Sequence, residues 1–471
     1  MTKQEITRRP SHPTGYPSPR HCNLGPAPFP HCHMGWFGVV LVSFLSGFRR
    51  HPMAINLVAG SAAFLAYASM YAFRKPFTAA AFEGMHVGGV DYKVWLVIAQ
   101  VMGYMLSKMR GITWIAQIQR QRRARTLAGL IGFSWIALLG FALIPAPWNI
   151  AFLFLNGLPL GMVWGVIFGY LEGRRGTELM GALMCASFIV GSGVVKTVGM
   201  WLMMRWHVSE FWMPFATGAL FIPPLYAATW VLEHLPAPDT ADIAARSARV
   251  PMDAATRRAF LARFLPGIAM IVMAYVALTV TRDFRDNFAA EIWSDLGRGG
   301  DASVFTETEV PIAIAVLIIT AFTMFVRDNL KALMLNHVLI FGGFAIATFS
   351  TWLHNHNMLD PLGWVGFSGF GLYLAYVPYN ATFFERMLAT FRVTGNVGFI
   401  MYIADSSGYM GSVVVILVKE FGGMHLSWAS FYADTVMTLS GIGMAITLVS
   451  ALYFHEKARR ARGPVAVPAA A

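Results

Sequence analysis

The sequence predicts an all-α polytopic membrane protein, with twelve transmembrane helices arranged as two six-helix bundles. Three observations carry this expectation. Of 471 residues, 56% are hydrophobic and only 13% charged, whereas a soluble domain carries about 25% charge. Apolar runs of the roughly 20 residues needed to cross a bilayer recur along the whole chain. One long polar connector, 234–262, divides six such runs from six.

The chain opens with a polar arm, residues 1–52, expected on the cytoplasmic side. Within "RHCNLGPAPFPHCH", His21, Cys22, His31, Cys32 and His33 are chemically able to bind a metal. Their spacing fits no zinc finger, so no metal site and no cofactor are expected. Three cysteines are too few for a disulfide framework, and Cys185, inside an apolar span, is expected in the core. Met34 is an alternative start. The stretch GWFGVVLVSFLSGF (35–48) has only 14 residues and reads as an interfacial helix. No small-residue cleavage site follows it, so it does not read as a signal peptide.

The first bundle, 53–233, holds spans near 53–73, 93–115, 126–146, 149–170, 180–204 and 211–232. The second, 263–453, holds spans near 263–282, 309–327, 331–352, 362–384, 395–418 and 427–453. A basic tail, 454–471, ends the chain. Lysine and arginine set the orientation. Arg49–Arg50, QRQRRAR (119–125), GRR (173–175), the connector and the tail HEKARRAR all fall on one side. PAPWN (145–149) and HNHNMLDPLG (354–363) fall on the other. Both termini are therefore expected in the cytoplasm, the chain being a monomer in the cell (inner) membrane. The net charge of +12 lies in short loops between apolar spans, which argues against a nucleic-acid partner.

Charges inside the spans are the candidate functional residues, because a charge at bilayer depth is costly and usually faces a cavity. YAFRKPF (71–77) places Tyr71, Arg74 and Lys75 at the end of the first span, with FTAAAF following so that the helix can continue. FRKPFTAAAF (73–82) aligns without gaps to FRDNFAAEIW (284–293), at the end of the seventh span. Arg74 matches Arg285, and the two are expected to meet near a pseudo-twofold axis and hold an anion between them. Arg285 also has Arg282, Asp283 and Asp286 beside it. Arg282 and Asp286, one turn apart, make a local pair possible, and a self-neutralised helix end is the competing reading. Lys108 and Lys196 are further substrate-binding candidates. Lys196 and Asp405, in spans five and eleven, are candidates for proton coupling or for a bridge between the bundles. Glu172 with Arg174, and Glu385 with Arg386, are candidate gating ion pairs, with solvated loop charges as the competing reading. The glycines of GLPLGMVWG and GFSGFGL are expected to allow close helix packing.

The two-bundle layout resembles the major facilitator superfamily, from about residue 53 to 453. "Y-x-x-R-K-x-F" in span one and "G-Y-x-x-S-K" in span two resemble its organophosphate:phosphate antiporter branch. That resemblance implies phosphate binding by Arg74 and Arg285, with Lys108 nearby. SMYAFRKPFTAAAFEG is most similar to an uncharacterised bacterial branch whose substrate is not established. Two features depart from the pattern. RGITWIAQIQRQRRAR lacks the Asp of the superfamily's G-x-x-x-D-R-x-G-R-R loop, and span five, where the antiporter branch has a His, here offers Lys196.

No nucleophile elbow, Walker A motif or zinc-protease spacing occurs, so an enzyme is not expected. The leading expectation is a secondary transporter of a small, anionic molecule, organophosphate- or carboxylate-like. The alternatives are a proton-coupled carrier of a neutral or cationic solute and a non-transporting membrane sensor on the same fold.

Overall fold

The computed structural model describes residues 52–115, 118–172, 174, 176–236, 254–323, 325–391, 397–422 and 426–462. The interfacial helix expected at 35–48, the His/Cys arm and most of the connector lie outside these residues.

Among the described residues, twelve helices have 18 residues or more. They are α1 (Pro52–Met70), α2 (Tyr92–Ile115), α3 (Arg123–Leu143), α4 (Ile150–Leu171), α5 (Thr177–Trp206) and α6 (Met213–Glu233), then α7 (Ala254–Asn287), α9 (Val304–Thr323), α10 (Asn329–Asn355), α11 (Pro361–Pro378), α13 (Val397–Phe421) and α14 (Trp428–Arg462). Two short helices, α8 (Ala289–Asp295) and α12 (Phe384–Thr390), complete the set. Each expected span has its helix. Nine of the twelve are long and apolar enough to cross a membrane by length and composition. The other three are α2 and α13, which carry Lys108 and Asp405, and the glycine-rich α11. Among the described residues the only strands form a small antiparallel hairpin, β1 (His86–Val87) with β2 (Val90–Asp91). Its turn, Gly88–Gly89, has φ of +62° and +80°, a conformation in which a side chain would be strained.

Side chains on the outer surface are greasy. Ile136, Tyr226 and Phe325 are 66%, 73% and 79% exposed, which suits a lipid-facing surface. The starts of α10 and α11 carry side-chain caps. Asp328 accepts from the Lys331 N–H at 2.8 Å, and Asp360 from Leu362 and Gly363 at 3.1 and 3.2 Å.

Glycine sets the closest crossings. A Cβ on Gly157 would fall 2.3 Å from the Gln100 carbonyl oxygen, and one on Gly161 2.7 Å from that of Tyr104, so α4 lies backbone to backbone on α2. In the second half, a Cβ on Gly343 would fall 2.4 Å from the Gly371 carbonyl oxygen, and the reverse holds too. The two glycine-rich stretches thus allow close packing. Between the halves, the main helix contacts are α5 with α9 and α2 with α13.

Candidate functional site

The site begins with a break in the first helix. α1 ends at Met70 and is followed by two short 3-10 turns, Tyr71–Phe73 and Pro76–Ala79. The expectation that this helix continues through FTAAAF is therefore corrected. Pro76 lacks an N–H and disfavours helical geometry at Lys75 before it. A broken helix at bilayer depth is tolerated only when its freed carbonyls find donors, and here they do. Asn156 donates to the Phe73 carbonyl at 2.9 Å, Gln100 to that of Arg74 at 2.8 Å, and Lys93 to that of Thr78 at 2.8 Å. Gln100 also donates to Asn156 at 2.8 Å, and Asn156 to the Ser134 carbonyl at 3.0 Å. Asn156→Ala is expected to cost about 1–3 kcal/mol, the penalty for unpaired buried polar groups. A thermal-unfolding midpoint in detergent equal to wild type would show that the break needs no such support.

The break aims Arg74 inward. Arg74 is 6% exposed, with its guanidinium carbon 3.8 Å from the centre of the Tyr104 ring and 5.9 Å from that of Tyr71. Its Nε is buried without a hydrogen-bond partner, and no carboxylate among the described residues pairs with it. From Tyr104 a continuous set of contacts crosses into the second half. The Tyr104 ring meets Tyr409 edge-on at 5.4 Å, and Lys108, one turn along α2, binds Asp405 at 2.5 Å. The Tyr275 hydroxyl donates its one proton to Asp405 and lies 3.0 Å from the Tyr376 hydroxyl, from which it can accept. Arg282 packs its guanidinium 3.9 Å from the centre of the Tyr376 ring and pairs with Asp283 at 2.6 Å. The result is a cage of tyrosine rings holding three cations and two carboxylates.

A second buried layer lies at the end of α7. Asp286 pairs with both Lys75 and Lys196, the latter at 2.5 Å, and accepts from the Ser192 hydroxyl. Lys75 also donates to the Asn287 side chain at 2.6 Å, and Lys93 pairs with Glu291 at 2.5 Å. All these ion pairs join the first half of the chain to the second.

This geometry changes several expectations. The repeat was expected to bring Arg74 to Arg285; the residues that meet are the next aligned pair, Lys75 and Asp286. Arg285 turns into its own half, pairs with Glu309 at 2.5 Å and donates to the Val365 carbonyl at 3.2 Å. Arg282 pairs with its neighbour Asp283 and not with Asp286, which the two lysines occupy. Lys196 and Asp405 do not bridge each other, because each has its own partner. Arg174 donates to the Pro236 carbonyl, just beyond α6, and Arg386 to the Asn329 side chain at 3.0 Å. Glu172 caps the end of α4, and Glu385 lies exposed on α12. Among the described residues, no group of three or more His, Cys, Asp or Glu is placed to hold a metal.

Sequence reasoning missed Lys93, Glu291, Glu309 and five tyrosines: Tyr104, Tyr275, Tyr376, Tyr409 and Tyr67, whose ring meets that of Tyr71 edge-on at 5.7 Å. The signal was present: Tyr67 with Tyr71, Tyr104 with Lys108, and Asp405 with Tyr409 are each four apart, which places each pair on one helix face.

The fold resembles several solved transporters at low identity. A bacterial homologue of the human drug peptide transporters PepT1 and PepT2 aligns with a TM-score of 0.57 and 12% identity, over 86% of this chain and 99% of that one. The nucleoside transporter NupG aligns at 0.53 and 12%, over 85% and 98%. A D-xylose-proton symporter aligns at 0.52 and 14%, over 85% and 97%. The chain therefore has the major facilitator fold of a polytopic membrane protein. No curated protein matches the sequence significantly. Residues 76–457 match a family of unknown function (DUF5690), and the chain belongs to that family.

Proposed function

We propose that this chain is a secondary transporter that carries a small anionic solute across the inner membrane by alternating access, with Arg74 holding the anion. One observation carries this reading: a guanidinium buried between the halves with no acidic partner among the described residues. An Arg fork left without a carboxylate is suited to a carboxylate or phosphate of the solute. Tyr71, Lys108 and Arg282 line the same cage, whereas Arg285 and Lys196 serve as structural ties. The fold shared with named peptide, nucleoside and xylose transporters supports transport. The Y-x-x-R-K-x-F resemblance to organophosphate:phosphate antiporters supports an anion. Residues 53–233 and 263–453 would be the moving bundles, joined by a cytoplasmic linker, with both termini cytoplasmic.

The test is a thermal-shift screen of the full chain in detergent with inorganic phosphate, sugar phosphates, carboxylates and neutral sugars. A ligand of the native state raises its stability. Anions are expected to stabilise the wild type. Arg74→Ala should weaken their binding by roughly 10- to 100-fold, the worth of a charge-assisted hydrogen bond. Arg74→Lys should weaken it less. Wild-type affinity in both variants would overturn the assignment.

The Lys108–Asp405 pair favours a second reading, in which Asp405 couples transport to protons. Uptake driven by a pH gradient and lost in Asp405→Asn would support it, and uptake indifferent to both would remove it.

A further inference from the structure

We infer that one water molecule is bound between the two halves of the chain, where it joins Lys196 of the first half to Glu309 of the second. The site is a cavity of about 10 Å³ beside the Asp286 layer, with Gly193, Lys196, Arg285, Trp293, Phe305 and Glu309 in its wall. A single water needs about 10–15 Å³ of such space. The cavity therefore takes one water and is too small for an organic solute. Gly193 sets the seam here. A Cβ on it would fall 2.7 Å from the Phe305 carbonyl oxygen and 2.8 Å from the Glu309 Cβ, so α5 and α9 meet closely around the site.

A buried water is held by roughly three hydrogen bonds to polar groups that otherwise lack partners. The wall offers three such groups. Lys196, Arg285 and Glu309 are 2%, 4% and 7% exposed. Glu309 gives one carboxylate oxygen to Arg285, while its Oε2 is buried without a partner. Arg285 spends Nη1 on Glu309 and Nη2 on the Val365 carbonyl, and its Nε is also buried without a partner. Lys196 has three N–H donors and spends two on the Asp286 carboxylate and carbonyl. Buried polar atoms left unpaired carry a desolvation cost. A water that accepts from Lys196 and Arg285 and donates to Glu309 removes it. A metal cation would meet the charges of Lys196 and Arg285, and an anion the carboxylate of Glu309. Water, neutral and both donor and acceptor, suits all three. Lys196 pairs with Asp286 and Glu309 with Arg285, and no ion pair joins Lys196 to Glu309 directly among the described residues. The water thus makes one network of Asp286, Lys196, Glu309 and Arg285, and extends the tie at the end of α7 to α9. Parting the halves at this end breaks that network, whatever solute the chain carries.

The experiment is X-ray radiolytic labelling of the full chain in detergent, read by mass spectrometry. Hydroxyl radicals formed from a bound water label the aromatic rings beside it, even where bulk solvent does not reach. Phe305 and Trp293 line the cavity and are buried; Phe344 and Trp364 are buried too and do not line it. Phe305 and Trp293 are expected to be labelled several-fold faster than Phe344 and Trp364. Rapid mixing with heavy-oxygen water identifies the source of the label. At short mixing times the exposed Phe325 should take heavy oxygen from the bulk, while Phe305 still takes the light oxygen of the water already bound. Glu309→Leu, which offers no acceptor, should bring Phe305 down to the rate of Phe344. Labelling of Phe305 and Trp293 no faster than that of the controls would overturn the inference. So would heavy oxygen appearing at Phe305 as early as at Phe325, which would mean transient exposure to bulk solvent, and so would a label unchanged in Glu309→Leu. The comparison of rings and the timing of heavy oxygen are both measured on the wild type, so they stand even where the variant fails to fold.

Discussion

Asp286→Ala is expected to lower the unfolding free energy by about 3–5 kcal/mol, the cost of removing one partner from a buried ion pair. Asp286 is the single carboxylate shared by Lys75 and Lys196, and all three side chains are at least nine-tenths buried. Without it, two ammonium groups face each other in a low-dielectric layer. Lys75 retains Asn287, and Lys196 retains, among the chain's own groups, only the backbone carbonyl of residue 286. Water or a shift of the helices must then relieve the repulsion. Because the layer joins the two halves, the helices that relieve it are those that separate them at this end. The variant should therefore melt early and also expose this end of the chain. Cysteines introduced at Thr197 and Thr306, whose hydroxyls lie 2.7 Å apart, would report that exposure through thiol labelling. Replacing all three charges with neutral side chains of similar size should be milder than Asp286→Ala, because an intact buried pair adds little over a well-packed apolar contact. A midpoint and a labelling rate unchanged in Asp286→Ala would show that this layer neither stabilises the chain nor closes that end.

The helices were legible in the sequence, because membrane depth sets a length and lipid sets a composition, and both are one-dimensional signals. The partners of the charges were not. Arg282, Arg285 and Asp286 lie within five residues, yet they point to Tyr376, Glu309 and the lysine pair respectively. Their directions follow from how α7 rotates against its neighbours, and sequence spacing alone does not give that rotation. The repeat between YAFRKPF and FRDNF marked the right place and the wrong pair. It assumed two equivalent helices, but Pro76 breaks α1 while α7 runs unbroken to Asn287. The break itself was readable from Lys75–Pro76. What was not readable was that Gln100, Asn156 and Lys93, distant in sequence, satisfy the carbonyls it frees.

A double-mutant cycle on Lys108 and Asp405 separates a strut from a working part. Lys108→Ala leaves the Asp405 carboxylate with only the Tyr275 hydroxyl. Asp405→Ala leaves the Lys108 ammonium facing the rings of Tyr104 and Tyr409 at 5.2 and 5.3 Å. Each change is expected to cost about 3–5 kcal/mol in detergent unfolding, because each strands a buried charge. Lys108→Met with Asp405→Leu removes both charges and should recover most of that loss. The position of the pair gives the cycle its functional meaning. Lys108 lies fifteen residues along α2 from Lys93, or about 22 Å at 1.5 Å per residue. Arg74 packs on Tyr104, between these two cross-half ties. A carrier that opens its ends in turn must break the tie at one end while the other holds. If the charge-free double variant is stable and no longer transports, the pair does more than hold the halves together. Its charges then take part in releasing one end of the cage or in moving a proton. If the double variant is stable and transports at the wild-type rate, Lys108–Asp405 is a strut, and Arg74 alone among the central cations remains to carry the solute's charge.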